Sequence, residues 1–465
     1  ASTAMLNTIG CWALVEIDTP GIQVFVRQGR KTRDFWAGSW LISFLIWKAV
    51  EAFVNVFGPD VVLSPAIFLN PFYLDTILGI GAVDEADLPF IAWSSRWPEQ
   101  PVVPGTVRLI IPIPCTGNRD AYPYTAWLKL LSTQGTGDGV CRIETIIEGG
   151  DENLENCVKT IVNHSVRDVW SRIVDNVLND KSVSYLIDQT CSDAEESKHS
   201  ECVALLLEYL SSAKNSPPII HRVAAVRITD DMIKKDIEDL INRDVELEKV
   251  LDFLGGFIEK DIGLRRDRLA DFIANIFRIP YAQKKLRERL DSKPLIAVGV
   301  GVTIAKSIQE FTSKIYINGV LPRYRICSLC GRIPAAVYLP RGGDQSKVEY
   351  ILDEGEALCP YCLVRRMLGK RPSKVLKGVI YSSPSERGVL STLDVANIWN
   401  LELAKELEHG IGENYEHRYE YKIEPYRIIV EEIGKRDLSK WLLSMDIMLS
   451  QRGLDVVAEA STVLA

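Results

Sequence analysis

The sequence predicts an α+β protein built from more than one domain. Three observations lead to this prediction: strand and helix patterns follow one another near the N-terminus, regular helical patterns dominate after residue 150, and two cysteine pairs lie in the C-terminal half. A chain of 465 residues is too long for one ordinary hydrophobic core. We expect an N-terminal domain over 1–150, a helical region over 151–320, a metal-binding module over 321–370 and a helical C-terminal region over 371–465.

The N-terminal domain contains four predicted extended segments. Residues 11–18 form a strand pattern that ends in Asp18, and after a Pro-Gly turn residues 22–27 also predict an extended segment. Residues 61–65 and 106–114 supply further strands. With the helix described next and a later helix, this is the order of the ferredoxin-like fold, which is also that of a polymerase or cyclase palm.

A long helix is predicted from Thr32 or Asp34 to Phe57, where Gly58 and a proline end it. Aromatic residues recur along one face at helical spacing: Trp36, Trp40, Phe44 and Trp47. Such a stripe usually belongs to a core, and the alternative is a surface that faces a partner. Two charged residues, Lys48 and Glu51, interrupt the apolar run, which favours a buried helix over a membrane span.

The middle of the chain is predicted to be loop-rich over 115–152 and then mostly helical. A clear apolar face runs from Leu154 to Val177, a second helix is expected over 201–211, and 221–229 predicts a strand. Residues 230–291 carry dense charges of alternating sign, which is typical of a solvated helical surface. The alternative is RNA contact through basic residues of this stretch: Arg265, Arg266, Arg268, Lys284, Lys285, Arg287 and Arg289.

Two cysteine pairs give the strongest chemical signal in the sequence. Cys327 and Cys330 are separated by two residues, 28 residues follow, and Cys359 and Cys362 repeat the spacing. Each pair places two thiolates on a tight knuckle, and two knuckles supply the four sulfur ligands of a tetrahedral zinc ion. Because all four ligands would come from the protein, we predict a structural zinc site. The alternative is a set of four reduced, buried thiols.

Residues around the two knuckles support this prediction. Gly331 follows the first pair, where a turn must direct backbone amides toward sulfur, and Pro360 lies inside the second pair. Basic residues surround both pairs and are expected to offset thiolate charge: Arg325, Arg332, Arg365 and Arg366. The remaining cysteines are scattered without the spacing of a disulfide framework, which is typical of a reducing interior and predicts a cytoplasmic protein.

The net charge of −8 argues against a surface coated uniformly for nucleic acid. Any RNA contact would therefore need local basic patches or partner subunits. The first ten residues lack the basic region and apolar core of a signal peptide.

Residues 22–46 resemble a segment of the large subunit of type III-B CRISPR effector (Cmr) complexes. In that family an extended strand leads into a basic R-K-T-R-D segment, then W-A-G-S and an apolar helix. The matching residues here are Arg30, Lys31, Thr32, Arg33, Asp34, Trp36, Ala37, Gly38 and Ser39. The four cysteines match the family's zinc module, and residues 390–396 match a further segment loosely.

The resemblance implies a place at the foot of an RNA-guided antiviral complex, beside a partner subunit that grips the 5′ tag of the guide. Full-length members have two palm-like domains with nucleotide between them, and a G-G-D-D hairpin on the second palm makes cyclic oligoadenylates from ATP. Some members also carry an N-terminal histidine-aspartate nuclease domain. This sequence contains no G-G-D-D, and we expect no histidine-aspartate domain before residue 11.

A G-G-D-Q segment at residues 342–345 resembles a catalytic turn only superficially. Gln345 replaces the second acid, and the segment lies in the loop between the cysteine knuckles, within a hairpin predicted from AVYL and VEYIL. Glycines in such a turn supply positive φ and need no catalytic reason. We therefore interpret Asp344 as a turn residue.

The first palm is predicted to be non-catalytic. Phosphoryl transfer of this kind needs carboxylates that hold two metal ions. Asp18 ends the first strand, where a palm keeps one acid, but Asp60 and Asp75 in the expected partner region are not paired acids. Asp18 is therefore interpreted first as a turn residue.

A nucleotide-binding role without catalysis is the alternative that we retain for this palm. Arg30, Lys31 and Arg33 precede a helix whose N-terminal amides favour anions, and Ser39 and Ser43 lie one turn apart on that helix. Together with Asp18 they are the candidate nucleotide residues. The competing interpretation is a basic loop that makes ordinary surface ion pairs.

Three functional interpretations remain open from the sequence. The first is a scaffold that holds a partner subunit, contacts guide or target RNA and contributes half of an ATP pocket. The second is a cyclic oligoadenylate synthetase whose catalytic palm lies outside this chain, so that ATP and Mg²⁺ would require a second palm. The third is an unrelated zinc-ribbon RNA-binding protein.

Overall fold

The computed structural model describes residues 11–65, 70–79, 103–114, 122–133, 141–228, 280–293, 308–348 and 351–381. The helices are α1 Ile22–Val26, α2 Thr32–Phe57, α3 Pro71–Gly79, α4 Tyr122–Thr133, α5 Ile143–Glu148, α6 Asp151–Leu178, α7 Lys181–Cys191, α8 His199–Ser212, α9 Pro280–Asp291, α10 Pro360–Lys370 and α11 Pro372–Val375. The strands are β1 Cys11–Asp18, β2 Val62–Ser64, β3 Thr106–Ile113, β4 Arg222–Ile228, β5 Val337–Tyr338 and β6 Ala357–Leu358. The predicted mixture of helix and sheet is confirmed.

Four strands form one sheet in the order β2-β3-β1-β4, and every neighbouring pair is antiparallel. The central strand β1 pairs along its length with β3 and β4, so that Asp18 lies opposite Thr106 on one side and Arg222 on the other. In chain order, α2 connects β1 to β2, and α6 lies between β3 and β4. The sequence pattern predicted all four strands.

The sheet is covered on both faces. On one face Val15 and Ile17 of β1 join a large core with α2 and α6, and the aromatic stripe contributes Trp40, Phe44 and Trp47, each at most 1% exposed. On the other face, residues of β1 and β4 pack against α9 through these apolar side chains: Leu14, Ala224, Val226, Ala282, Leu286 and Leu290. The prediction that the stripe is core is confirmed for these three rings.

The helix α2 is long and apolar enough to cross a membrane by length and composition, but 83% of its most apolar window is buried inside the protein. The helix ends at Phe57, and the amide of the next residue, Gly58 at φ +94°, donates to the carbonyl of Val54 at 2.8 Å. Burial of this kind is typical of the central helix of a folded core.

Three local predictions were wrong. Residues 22–27 are not extended, because Gly21 at φ +82° turns the chain and Ile22, Phe25 and Val26 then pack on the core at helical spacing as α1. The supposedly loop-rich stretch 115–152 contains α4 and α5, and α7 was not predicted. The partner of Val337–Tyr338 is β6 rather than the VEYIL segment.

One continuous core includes residues from the N-terminal domain, the helical region and the cysteine module, among them Val15, Leu186, Cys359 and Leu376. Outside the described residues lie the first ten positions, most of the charge-dense stretch including Arg265, Arg266 and Arg268, and the C-terminal region beyond Tyr381.

Candidate metal centre and its contact with the long helix

The four predicted ligand sulfurs meet in one place. The Sγ atoms of Cys327, Cys330, Cys359 and Cys362 all lie within 4.8 Å of one another, and Cys330 and Cys359 are 3.9 Å apart. A tetrahedral zinc ion with Zn–S bonds of about 2.3 Å places its sulfurs about 3.8 Å apart. Three of the four residues are buried, so the geometry and chemistry of this donor set fit a closed, structural zinc site.

Local backbone geometry builds each knuckle. Gly331 adopts φ +62° and donates from its amide to the carbonyl of Cys327 at 2.9 Å, which closes the first turn as predicted. Cys359 caps α10, Pro360 occupies the first helical position, and Cys362 follows on the first turn. The second pair is thereby fixed by a helix N-terminus rather than by a loop.

The neighbouring thiols oppose one another electrostatically. Burial and hydrogen bonds with the other three sulfurs raise the pKa of Cys359 well above its usual range. Hydrogen bonds with the other three cysteine sulfurs lower the pKa of Cys330. Four adjacent thiols therefore cannot all ionise without a cation, and a divalent metal would supply that charge.

The arginines near the knuckles have partners other than sulfur. Arg366, 1% exposed, donates to Asp34 of α2 at 2.6 and 3.0 Å and to Glu356 at 2.8 and 2.9 Å. Arg325 pairs with Asp193 and stacks over a tyrosine ring. The expectation that these two side chains offset thiolate charge was wrong, because carboxylates already neutralise them.

The Arg366 contact joins the cysteine module to the R-K-T-R-D segment. Burial would raise the pKa of Asp34, but hydrogen bonds and charge from Arg366 outweigh it and hold that pKa below its ordinary value. The same carboxylate accepts from the backbone amide of Lys31 at 3.2 Å, which satisfies a free amide at the start of α2. Asp34, the acid of the R-K-T-R-D segment, therefore has a structural role: it joins the start of α2 to α10.

Neighbouring residues show how closely α10 approaches α2. A Cβ at Gly369 would lie 2.9 Å from the carbonyl oxygen of Arg33, and one at Gly38 would lie 3.1 Å from the Arg365 side chain. Arg365 is fully buried, donates to the carbonyl of Phe25 at 2.6 Å and stacks over its ring. Glycine is needed at 369, where the contact is with backbone, whereas a side chain at 38 would require the Arg365 side chain to shift by a few tenths of an ångström.

The candidate nucleotide residues are divided between several environments. Asp18 accepts from Arg222 at 2.9 and 2.5 Å and from Thr106 at 3.0 Å, and Ser43 is buried and donates to the carbonyl of Val103 at 2.9 Å. Ser39 is partly buried and Arg30 is exposed. The structure therefore does not gather all six around one surface.

Lys31 and Arg33 lie at a locally basic position. Lys31 pairs with Asp353 at 2.6 Å, and both side chains are substantially exposed. Burial lowers the pKa of Lys370, and the positive charges of Arg33 and Lys31 lower it further. Three cations therefore lie close together at the N-terminal end of α2.

The remaining acids considered in the sequence analysis, Asp60, Asp75 and Asp344, lie in different environments. Asp75 is buried and accepts from the backbone amide of Tyr381 at 3.1 Å, whereas Asp60 is exposed. Asp344 lies on an exposed turn and accepts from the amide and hydroxyl of Ser346, which lower its pKa.

The basic residues of α9 fall into two groups. Lys285 pairs with Asp151, and Arg289 pairs with Glu155, so both face α6. Lys284 and Arg287 line a shallow surface recess with other residues of the same helix. Among the basic residues of α9, Lys284 and Arg287 are the exposed pair, as RNA contact would require.

Sequence reasoning missed two sets of contacts. Cys191 and Cys202, with Cα atoms 5.8 Å apart, form a buried disulfide, and Cys141 and Cys157 lie side by side with Cα atoms 4.8 Å apart. Helix packing brings these cysteines together, and their spacing in the sequence gives no signal of it. His221 is also unexpected, because it is buried and its Nδ1 lies 2.9 Å from the hydroxyl of Thr19.

These features define a mixed α/β protein in which a four-cysteine module of metal-binding geometry is fixed to the long helix of an antiparallel sheet domain. Residues 14–174 match the family described as CRISPR-associated protein Cmr2, N-terminal. This match includes the R-K-T-R-D segment and most of the sheet domain.

Curated relatives extend the similarity beyond that segment. The chain is 22% identical over 471 residues to the CRISPR system CMR subunit Cmr2 of Saccharolobus solfataricus, covering 89% of this chain and 38% of the relative. It is 40% identical over 79 residues to the Cmr subunit Cmr2 of Pyrococcus furiosus, covering 16% of this chain and 9% of that protein. The chain thus spans well under half the length of these relatives.

Solved structures show a related fold. The type III-B Cmr-beta structure in the apo state matches with a TM-score of 0.52 and 20% identity over 89% of this chain and 38% of that one. The Cmr-beta structure bound to cognate target RNA gives a TM-score of 0.52 and 19% identity, covering 87% of this chain and 38% of that one. Together the comparisons show that the chain is similar to the large subunit Cmr2 of type III-B Cmr complexes, and the resemblance predicted from the sequence is confirmed.

Proposed function

We propose that this chain is a scaffold part of the large subunit of an RNA-guided Cmr complex, acting in the cytoplasm. In this role it holds a neighbouring subunit and contacts guide or target RNA. The observation that carries the proposal is the rigid connection between cysteine module and sheet domain through Arg366, Asp34 and Glu356, set within a chain similar to Cmr2 over 89% of its length.

The sheet domain is proposed to be a ferredoxin-like palm without catalytic acids. Its chain order of strand, helix, two strands, helix and strand, with the sheet order β2-β3-β1-β4, supports that fold. Asp18, at the position where a palm keeps an acid, is bound by Arg222 and Thr106. A carboxylate held in this way would have to give up a salt bridge before it could bind a metal ion.

The four cysteines are proposed to bind one structural zinc ion. The sulfur geometry supports this ligand set, and the closed arrangement leaves no open coordination position for water. Zinc would neutralise the opposed thiols and fix two pieces of chain that are 28 residues apart.

A nucleotide-phosphate surface is proposed at the start of α2, formed by Lys31 and Arg33. The lowered pKa of Lys370 supports it, because burial and the nearby positive charges of Arg33 and Lys31 lower this pKa although Asp353 opposes them. Positive charge at a helix N-terminus favours phosphate. The proposed pocket is half of an ATP site, completed by a second palm outside this chain.

Charge reversal tests this surface. Lys31→Glu with Arg33→Glu should weaken ATP binding by the assembled complex, because two cations are replaced by anions. Asp353→Ala is the matched control, since it breaks the same Lys31–Asp353 pair but keeps both cations. Unchanged affinity in the double variant would remove the assignment.

A synthetase whose catalytic palm lies outside the chain is the second candidate function. This synthetase function differs from the scaffold function in requiring a G-G-D-D motif, which this sequence does not contain. Purified chain should make no oligoadenylate from ATP with Mg²⁺ or Mn²⁺, whether or not guide and target RNA are present. It should co-purify with the other Cmr subunits, and product made by this chain alone would contradict the non-catalytic palm.

A further inference from the structure

A ladder of aromatic rings runs from the helical core to the surface beside the first cysteine knuckle. Tyr209 of α8 stacks on Phe311 with ring centroids 3.8 Å apart, Phe311 meets Tyr316 edge-on at 5.9 Å, and Tyr316 meets Tyr324 edge-on at 4.9 Å. Exposure rises along the ladder, since Tyr209 and Phe311 are buried and Tyr324 is 51% exposed. Tyr324 is therefore an exposed ring that packs against a chain of aromatic rings reaching into the core.

Apolar side chains extend the exposed area around Tyr324. Ile326 is 48% exposed and Ile317 is 76% exposed. Residues 325–327 run antiparallel to 333–335, with Ala335 donating to the carbonyl of Arg325 at 2.9 Å. Side chains alternate across an extended segment, so Tyr324 and Ile326 share the outer side while Arg325 points inward onto a tyrosine ring. Ile317 follows Tyr316, the ring that supports Tyr324.

Two exposed arginines near this area have no carboxylate partner among the described residues. Lys314 is paired with Glu208, and Arg325 is paired with Asp193. Arg323 and Arg332 are exposed, and no carboxylate of the described part of the chain pairs with either one. We call Ile317, Arg323, Tyr324, Ile326 and Arg332 together the Tyr324 surface.

The composition of this surface distinguishes between classes of partner. Tyrosine and arginine are enriched where protein interfaces concentrate their binding energy, and a supported ring loses little conformational entropy on binding. Single-stranded nucleic acid is held by several stacking aromatics along a basic groove. Here one exposed ring is accompanied by two aliphatic side chains, which favours a protein over RNA.

We propose that the Tyr324 surface binds a neighbouring protein subunit that presents an apolar depression bordered by carboxylates. Tyr324 and Ile326 would fill the depression, and Arg323 and Arg332 would pair with the acidic border. This inference rests on the proposed scaffold function, because the partner is taken to be another subunit of the same complex. It adds the place of contact, which is the surface beside the first cysteine knuckle.

The test measures binding of the full 465-residue chain to the purified remaining subunits of the Cmr complex loaded with guide RNA. Tyr324→Ala with Ile326→Ala should weaken binding about tenfold or more. Arg323→Glu with Arg332→Glu should weaken it at low salt, and the effect should diminish as salt rises. Leu128→Ala with Lys129→Glu is the matched control, because both residues are exposed on α4, away from this surface, and it should bind like the parent chain.

The outcomes separate this inference from the proposed function. If the parent chain binds and both Tyr324-surface variants bind equally well, the inference is overturned and the scaffold function stands. If the parent chain does not bind at all, both fail. A photo-crosslinker at position 324 should give a protein adduct, and an RNA adduct, or loss of single-stranded RNA binding in Tyr324→Ala without loss of subunit binding, would overturn the inference. Unchanged thermal unfolding of each variant excludes misfolding as the cause.

Discussion

At the scale of single residues, the R-K-T-R-D segment is explained by one buried ion pair. Asp34 and Arg366 are almost completely buried and are joined by two hydrogen bonds. Asp34 also accepts from the amide of Lys31, and Arg366 also donates to Glu356. A buried charge that loses its partner is costly, whereas exposed pairs contribute little. The two ion pairs of this region should therefore differ sharply in their effect on stability.

Breaking the buried pair is expected to destabilise the protein strongly. Arg366→Met should lower the free energy of unfolding by about 3–5 kcal/mol, because Asp34 and Glu356 would remain buried and unpaired. Lys31→Ala, which removes the exposed pair with Asp353, should cost less than about 1 kcal/mol. Denaturant unfolding of the two variants measures the difference, and equal losses would contradict the structural role of Arg366.

A second residue-scale prediction concerns His221. Burial lowers its pKa to about 4 despite the opposing charge of Asp18, so between pH 6.5 and 4 the unfolded chain binds the proton and the folded chain does not. Stability should be complete near pH 7 and should fall by about 3 kcal/mol as the pH drops through this window. Asp18, which is paired with Arg222, is the charge that acts on the imidazole.

Variants identify the histidine responsible. His221→Gln should flatten the stability profile between pH 6.5 and 4, because the residue that titrates only in the unfolded chain has been removed. His199→Gln is the control, since His199 is 40% exposed and pairs with Asp188 on the surface. A profile that stays steep in His221→Gln would assign the pH dependence elsewhere.

At the scale of elements, contacts between helices hold the molecule together. The α10 helix meets α2 closely enough to require Gly369, and α7 is joined to α8 through Cys191 and Cys202. Cross-linking restricts the unfolded chain, and a loop of this length gives about 3 kcal/mol in the chain-entropy account.

The helix cross-link predicts a redox dependence of stability. Reduction with a phosphine should lower the melting temperature of the purified chain, and mass spectrometry of the unreduced chain should find the Cys191–Cys202 peptide. Cys191→Ser with Cys202→Ser should melt lower without reductant and respond less to it. Equal melting of the oxidised and reduced parent chain would contradict a stabilising cross-link.

At the scale of the whole molecule, the cysteine module stabilises more than itself. It lies in the same continuous core as the sheet domain and the helical region. Because Arg365 and Arg366 contact α1 and α2 from α10, a loss of order at the knuckles would be transmitted to the start of α2.

Metal removal tests this connection. Metal analysis should find about one zinc per chain, and a strong chelator should lower the melting temperature and speed amide hydrogen exchange at 32–38 as well as at the knuckles. Cys327→Ser should reproduce both effects, whereas Ser346→Ala, on the exposed turn between the knuckles, should not. A metal-free chain with unchanged exchange at 32–38 would contradict the proposed role.

The sequence by itself determined the elements with strong local signals. Apolar periodicity identified α2 and α6, short runs typical of strands identified β1, β3 and β4, and cysteine spacing identified the four sulfurs that meet. These features were predictable because each is encoded within a few residues of contiguous chain.

Tertiary structure alone decided what the charged and reactive side chains do. Asp18 became the partner of Arg222 on another strand, Asp34 that of Arg366 more than 300 residues away, and Cys191 that of Cys202 across two packed helices. The residue types allowed other roles, including nucleotide binding and free thiols. The physical reason is that long-range packing selects the partner of a buried charge or sulfur, and no local pattern records that choice.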